Sequence, residues 1–144
     1  MSFRLVVPAA LYEAMVAQAL AEQPNECCGL LAGTVEGDLG RVVERYPLVN
    51  ELASPTEYNA ESRGLFLAHK DMRAKGLEEL ATYHSHPTSP PVPSRKDRER
   101  FFYVEGTEGA VRVIISLTAS PPEVRAWWLT PEAYREAEFE VIAD

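Results

Sequence analysis

Apolar positions recur along the chain in two rhythms, and the switches between them mark the elements. Phe3–Val7 is short and apolar and reads as a strand. From Pro8 to about Gln23 the spacing is helical, with Leu11, Met15, Ala19 and Leu20 in an i, i+4, i+8 rhythm behind a proline suited to a first turn. Cys27–Val35 is apolar and β-like, Gly37–Gly40 has hairpin chemistry, and Arg41–Val49 returns as a strand. Asn50–Tyr58 is polar and reads as a loop. Glu61–Lys75 is a second helix, with Leu65, Ala68 and Met72 on one face and Gly76 at its end. Leu80–His86 is a strand. Pro87–Pro93 must be an extended loop, because four of its seven residues are prolines without a backbone donor. Ser94 begins a short helix to about Tyr103. Ala110–Thr118 and Glu123–Leu129 are strands around a Pro121-Pro122 turn, and Ala137–Ile142 forms the last strand. Trp127 and Trp128 must point to opposite faces of their strand, one ring into the core and one outward. The expectation is a mixed β-sheet flanked by helices, an α/β (α+β layered) fold.

Composition narrows the function classes. A chain of 144 residues is the usual size of one domain. No repeat, low-complexity tract or charge block divides it, so residues 1–144 are expected to form a single domain. The net charge is −8 and the pI about 4.9. Nucleic-acid binding needs clustered Lys and Arg to neutralise phosphates, and anionic membranes favour basic surfaces, so neither partner is expected. The N-terminal residues lack a basic segment followed by an apolar core, and no run of about 18 apolar residues could span a bilayer. The two cysteines, Cys27 and Cys28, are neighbours and cannot build a disulfide framework. That argues for a reducing compartment and a cytoplasmic protein.

The candidate chemistry lies at the end of the Leu80–His86 strand. His84 and His86 are i and i+2 on a strand and point to the same face. The proline-rich loop can return the first turn of the next helix, which contains Asp97, to that face. Two imidazoles and one carboxylate leave a fourth tetrahedral position for water, the mark of a catalytic rather than a structural zinc site. Each half alone is a weak signal. Two histidines on a strand are more often satisfied core or surface residues. Ser94 and Asp97 could simply be a capping box at a helix start, and capping could compete with ligation for the Asp97 carboxylate. The two halves together, joined by a stiff loop, are much harder to obtain by chance.

His84-Ser85-His86-Pro87 followed by Ser94-x-x-Asp97 resembles the motif of the JAMM (MPN+) zinc metallopeptidases, His-x-His-x(7)-Ser-x-x-Asp, at every defined position. The family's upstream Glu-x-x-Gly-Leu is matched by Glu26-Cys27-Cys28-Gly29-Leu30. The resemblance covers nearly the whole chain and lacks the long insertions of eukaryotic deubiquitinases, so the chain looks like the compact bacterial or archaeal members. The resemblance implies a fold related to the cytidine-deaminase-like architecture and one Zn²⁺ per chain on His84, His86 and Asp97. It also implies Glu26 as general base and Ser94 as a hydrogen-bond donor to the developing oxyanion. Without it, nothing distinguishes Glu26 among 22 acidic residues. The implied substrate is a ubiquitin-like or sulfur-carrier protein with an extended C-terminal tail, hydrolysed at the amide bond after that tail.

A non-catalytic MPN-like scaffold is the alternative; such scaffolds have lost ligands, and here every ligand is present. A zinc nucleoside deaminase would need a Pro-Cys-x-x-Cys ligand pair, which the chain lacks. Strand alternation places Cys28 on the face of Glu26, but a free cysteine is usually a small buried hydrophobe. His69 on the second helix is expected at the surface.

Overall fold

The computed structural model describes residues 3–100, 111–130 and 132–144. In chain order the elements are β1 (Arg4–Pro8), α1 (Ala9–Ala21), β2 (Cys28–Glu36), β3 (Leu39–Leu48), α2 (Ser62–Lys75), β4 (Glu78–His86), α3 (Arg95–Arg100), β5 (Val111–Ser116), β6 (Glu123–Leu129), β7 (Tyr134–Glu136) and β8 (Phe139–Ile142). The expected helix end at Tyr103 and strand start at Ala110 lie outside the described residues. The strands form one eight-stranded mixed sheet in the order β7-β6-β5-β4-β2-β3-β1-β8. β2 runs antiparallel to both β3 and β4, whereas β4 and β5 are parallel. Strands β4 and β5 can be parallel because the segment joining them, which includes the proline loop and α3, is long enough for a crossover.

Alternation along β2 sends neighbouring residues to two cores. Cys27 and Leu31 join Leu5, Val7, Met15, Ala19 and Tyr83 on the α1 side. Cys28, Leu30 and Ala32 join Leu48, Tyr58, Ala68 and Met72 on the α2 side. Removing each such aliphatic side chain from water is worth roughly 1.5–3 kcal/mol. α2 has the predicted apolar face, and its ends match its sequence. Glu61 caps the start by accepting from the Gly64 N–H at 3.2 Å, and Gly76 closes the end at φ 67°, in the left-handed region that suits glycine.

α1 departs from expectation at Leu20, which is 47% exposed. A step of about 100° from buried Ala19 carries Leu20 off the apolar face. α1 is instead pinned through Gln18. Its Nε2 donates to the Cys28 carbonyl at 3.1 Å, and its Oε1 accepts from Arg45 Nη1 at 2.8 Å and from the Tyr83 hydroxyl. One helix residue thereby ties β2, β3 and β4 together. Tyr83 faces Gly29 across the β2–β4 pair, and a Cβ at Gly29 would overlap the tyrosine ring. The glycine of the Glu-x-x-Gly-Leu segment is there for that close approach.

The expected last strand is present as β8, two residues shorter at its start, and an unexpected strand, β7, precedes it. The two lie on opposite edges of the sheet. Between them the Ala137 N–H donates to the β6 residue Ala126 at 2.8 Å, and the Glu138 carbonyl accepts from Leu5 of β1 at 2.9 Å. The sheet is curled enough for two residues to bridge its β6 and β1 ends. Phe3 and Trp128 meet edge-on there, 5.1 Å between ring centroids. Trp128 thus packs at the core margin, and Trp127 is buried on the other face at 7% exposure, so neither ring projects freely outward.

Candidate metal centre

The end of β4 delivers two imidazoles to the α2 side of the sheet. His84 and His86 are both 2% exposed, and their Nε2 atoms lie 3.1 Å apart. From α3, Asp97 Oδ1 reaches to 3.1 Å from His84 Nε2, and Oδ2 to 3.0 Å from His86 Nε2. One ligand atom from each residue lies within 4.8 Å of the others, so the three could hold a metal ion. His86 Nδ1 lies 2.8 Å from the Pro90 carbonyl, which can only accept. Nδ1 therefore carries a hydrogen, which makes Nε2 the nitrogen that could ligate a metal. The Tyr58 ring stacks on His84, 4.7 Å between centroids at 24°.

Capping and ligation do not compete at Asp97. The Ser94 N–H donates to Oδ2 at 2.9 Å, and the Asp97 N–H donates to Ser94 Oγ at 3.1 Å, a reciprocal capping box. The same carboxylate still offers an oxygen to each histidine. The capping bond uses the Ser94 oxygen as acceptor and leaves its O–H able to donate.

Glu26 is held at the end of β2, only 5% exposed. Its N–H donates to the Ser54 carbonyl at 2.8 Å, and its own carbonyl accepts from Asn50 Nδ2 at 3.0 Å. The next residue is tied to β4 through Ser85. The Cys27 N–H donates to Ser85 Oγ at 2.8 Å, and the Ser85 N–H donates to the Cys27 carbonyl at 3.2 Å. Glu26 Oε1 is buried and has no hydrogen-bond partner among the described residues. A cavity of about 300 Å³ opens beside it, bounded by Glu22, Asn25, Leu48, Asn50 and Ala53.

The site is electrostatically coupled. Burial pushes the Glu26 carboxyl up to about 7, against the positive influence of His84, His86 and Lys96 and with the help of Asp97. Burial opposes ionisation of Asp97 too, but His84 and His86 outweigh it and hold that carboxyl well below the usual range. For His86, burial disfavours the cation, yet Asp97, the Pro90 carbonyl and Glu26 together raise its pKa. Cys27 lies outside this chemistry. Its thiol is buried in the α1-side core and pushed up to about 12. Cys28 shares the face of Glu26, as alternation requires, with its Cα opposite that of His84, but it is packed among apolar residues. His69 is half-exposed and pairs with Glu79 at 2.8 Å.

The structure thus brings together His84, His86, Asp97 and Ser94, and sets Glu26 within their field. Sequence reasoning missed Ser85, Asn50 and Tyr58. Ser85 had a signal, because the residue between two same-face histidines must reach the opposite side of the strand. Asn50 and Tyr58 had none, since both act through contacts distant in sequence.

The family model described as prokaryotic homologs of the JAB domain matches residues 8–130. The chain is 44% identical over 112 residues to a probable TtuB-protein conjugate cleaving protease of Thermus thermophilus, covering 73% of this chain and 72% of that protein. It is 31% identical over 140 residues to a CysO-cysteine peptidase of Mycobacterium tuberculosis, covering 96% and 91%. A protein of Desulfitobacterium hafniense solved in solution has a TM-score of 0.86 and 32% identity over 97% of this chain and 94% of its own. A fold, a motif and an extended sequence match agree, and the chain belongs to the prokaryotic branch of the JAB (JAMM/MPN) domain family.

Proposed function

We propose that the protein is a zinc-dependent metallo-isopeptidase. It hydrolyses the amide bond that follows the extended C-terminal tail of a ubiquitin-like or sulfur-carrier protein. The observation that carries the reading is the convergence of His84, His86 and Asp97 together with a buried Glu26 whose Oε1 has no hydrogen-bond partner among the described residues. The donor set suits zinc, which accepts nitrogen and oxygen ligands, and three protein ligands leave a position for water. Bound at one per chain, zinc supplies Lewis acidity, which polarises a carbonyl and lowers the pKa of water to about 7.

The residues of the chain do the rest. Glu26 takes the proton of the attacking water and passes it to the leaving amine. The Ser94 hydroxyl donates to the carbonyl oxygen as that oxygen gains charge. The substrate class rests on what the relatives' names state, conjugates of TtuB and CysO-cysteine. An extended tail is read through its backbone, and glycines allow close approach to sheet and site. The two buried cysteines, neither of them in a disulfide, support a cytoplasmic location, and no described helix is long and apolar enough to cross a membrane.

The test is a panel of ubiquitin-fold proteins ending in Gly-Gly or in bulky residues, each fused to varied extensions, beside free peptides of the same tails. Cleavage after Gly-Gly of the folded substrates is expected, with little dependence on the leaving group. Equal cleavage of bulky tails would defeat tail reading, and equal cleavage of free peptides would make the protein a general peptidase.

A further inference from the structure

Three consecutive carbonyls of the proline-rich loop are each held by a different side chain. The Ser89 carbonyl accepts from Ser116 Oγ at 2.7 Å, Pro90 from His86 Nδ1 at 2.8 Å, and Pro91 from Trp127 Nε1 at 2.8 Å. The donors stand on β5, β4 and β6, adjacent strands, and Ser116 lies directly opposite His86 in the β4–β5 register. A segment rich in proline has few N–H groups with which to brace itself. Val92 supplies one such group, donating to the Pro90 carbonyl at 2.8 Å, and the other bonds named here come from the sheet. The Trp127 ring adds to this, packing with Ile114, Leu129 and the loop residue Val92.

We propose that Trp127 is a positioning residue for the metal centre. With Ser116 it fixes the Ser89–Pro91 backbone, so that the Pro90 carbonyl keeps its bond from His86 Nδ1 and holds the ring in the orientation that turns Nε2 toward His84 and Asp97. The inference rests on the reading of this site as a metal centre. An acceptor can orient a ring only if it is itself fixed: the Val92 N–H donates to the Pro90 carbonyl at 2.8 Å, and the carbonyls on either side of it are tied to the sheet by Ser116 and Trp127. The same backbone runs three residues on to Ser94, whose N–H and hydroxyl seat Asp97. Two of the three candidate ligands thus depend on one anchored segment. Trp128, the neighbouring indole, packs against Phe3 in the other core and provides the control.

The experiment compares wild type, Trp127→Phe, Ser116→Ala, the double variant and Trp128→Phe. Zinc affinity is measured by chelator competition well below the melting temperature of each metal-free protein. The His86 Nδ1–H bond to Pro90 is read in metal-free protein from the ring ¹H–¹⁵N correlations. Trp127→Phe keeps an aromatic ring and loses the N–H. It should weaken zinc binding by up to about tenfold, the lower end of the cost of losing a metal-ligating histidine's direct outer partner, because Trp127 acts on His86 through the backbone. It should also weaken the His86 Nδ1–H bond to Pro90. Ser116→Ala should act in the same direction and give a non-additive double variant, because both bonds hold one segment. Trp128→Phe should leave affinity and the Nδ1–H bond unchanged. Unchanged zinc affinity in both Trp127→Phe and Ser116→Ala would overturn the positioning role, as would an equal loss in Trp128→Phe. A wild type that keeps the Nδ1–H bond to Pro90 but binds no zinc would overturn the metal centre itself, and the proposed role of Trp127 with it.

Discussion

Replacing Glu26 by Gln should make the metal-free protein more stable at mildly alkaline pH while removing its activity when metal is bound. Glu26 is 5% exposed, and its Oε1 has no hydrogen-bond partner among the described residues. Burial lifts its pKa from the ordinary 4.5 to about 7. The folded state therefore prefers the protonated form. The stability linked to that preference is fully present below about pH 4.5 and lost as pH rises through about 7. At 1.36 kcal/mol per pKa unit, the charged carboxylate costs the folded protein on the order of 3 kcal/mol at about pH 8. Glutamine has the same shape and never ionises. Glu26→Gln should then match wild type near pH 4.5 and exceed it by up to that amount near pH 8, or roughly 10 °C in melting temperature for a chain of this size. The assay is paired urea and thermal unfolding of the two metal-stripped proteins across that pH range. A stability difference that does not change with pH would refute the argument, since it would mean that the carboxyl is not desolvated by folding. The same substitution in zinc-loaded protein should lower turnover by about 10²-fold or more, the usual worth of a general base, while metal content stays near wild type.

Three further outcomes are expected from the geometry. His84→Ala and Asp97→Ala should each lose most of the roughly one zinc per chain expected of a three-ligand site, read by elemental analysis; full retention in both would remove the ligand assignment. Ser94→Ala should destabilise by about 1 kcal/mol through the lost cap and lower turnover with little change in KM, because the hydroxyl serves the transition state; unchanged turnover would exclude the oxyanion role. Gly29→Ala should destabilise by about 1–3 kcal/mol or more, because its Cβ would occupy the space of the buried Tyr83 ring, and a melting temperature equal to wild type would show that the ring can yield.

What the sequence revealed depended on the range of the interaction. The convergence of His84 and His86 comes from strand alternation alone, and Ser94-x-x-Asp97 is a local cap, so both were legible. α2 was equally legible, because its apolar stripe, Glu61 cap and Gly76 stop all lie within its own turns. Glu26 was not legible from local rules, since its burial depends on Asn50, Ser54 and Ser85, which come from other elements; only the family resemblance singled it out. Leu20 misled because a simple count of apolar residues treats adjacent helix positions alike. The separation of β7 from β8 depends on the curl of the whole sheet, which no window of residues encodes. Trp127 read as packing, and its hydrogen bond to Pro91 appears only once β6 lies beside the proline loop.

The most direct test of the account is a zinc titration of metal-stripped protein with a Gly-Gly-tailed ubiquitin-fold fusion present, cleavage being read by intact mass. The account predicts no cleavage without metal, a rise that saturates at about one zinc per chain, a single cut after the terminal glycine, and no recovery in Asp97→Ala at any zinc level. Cleavage that survives metal stripping, or that Asp97→Ala performs as well as wild type, would contradict it.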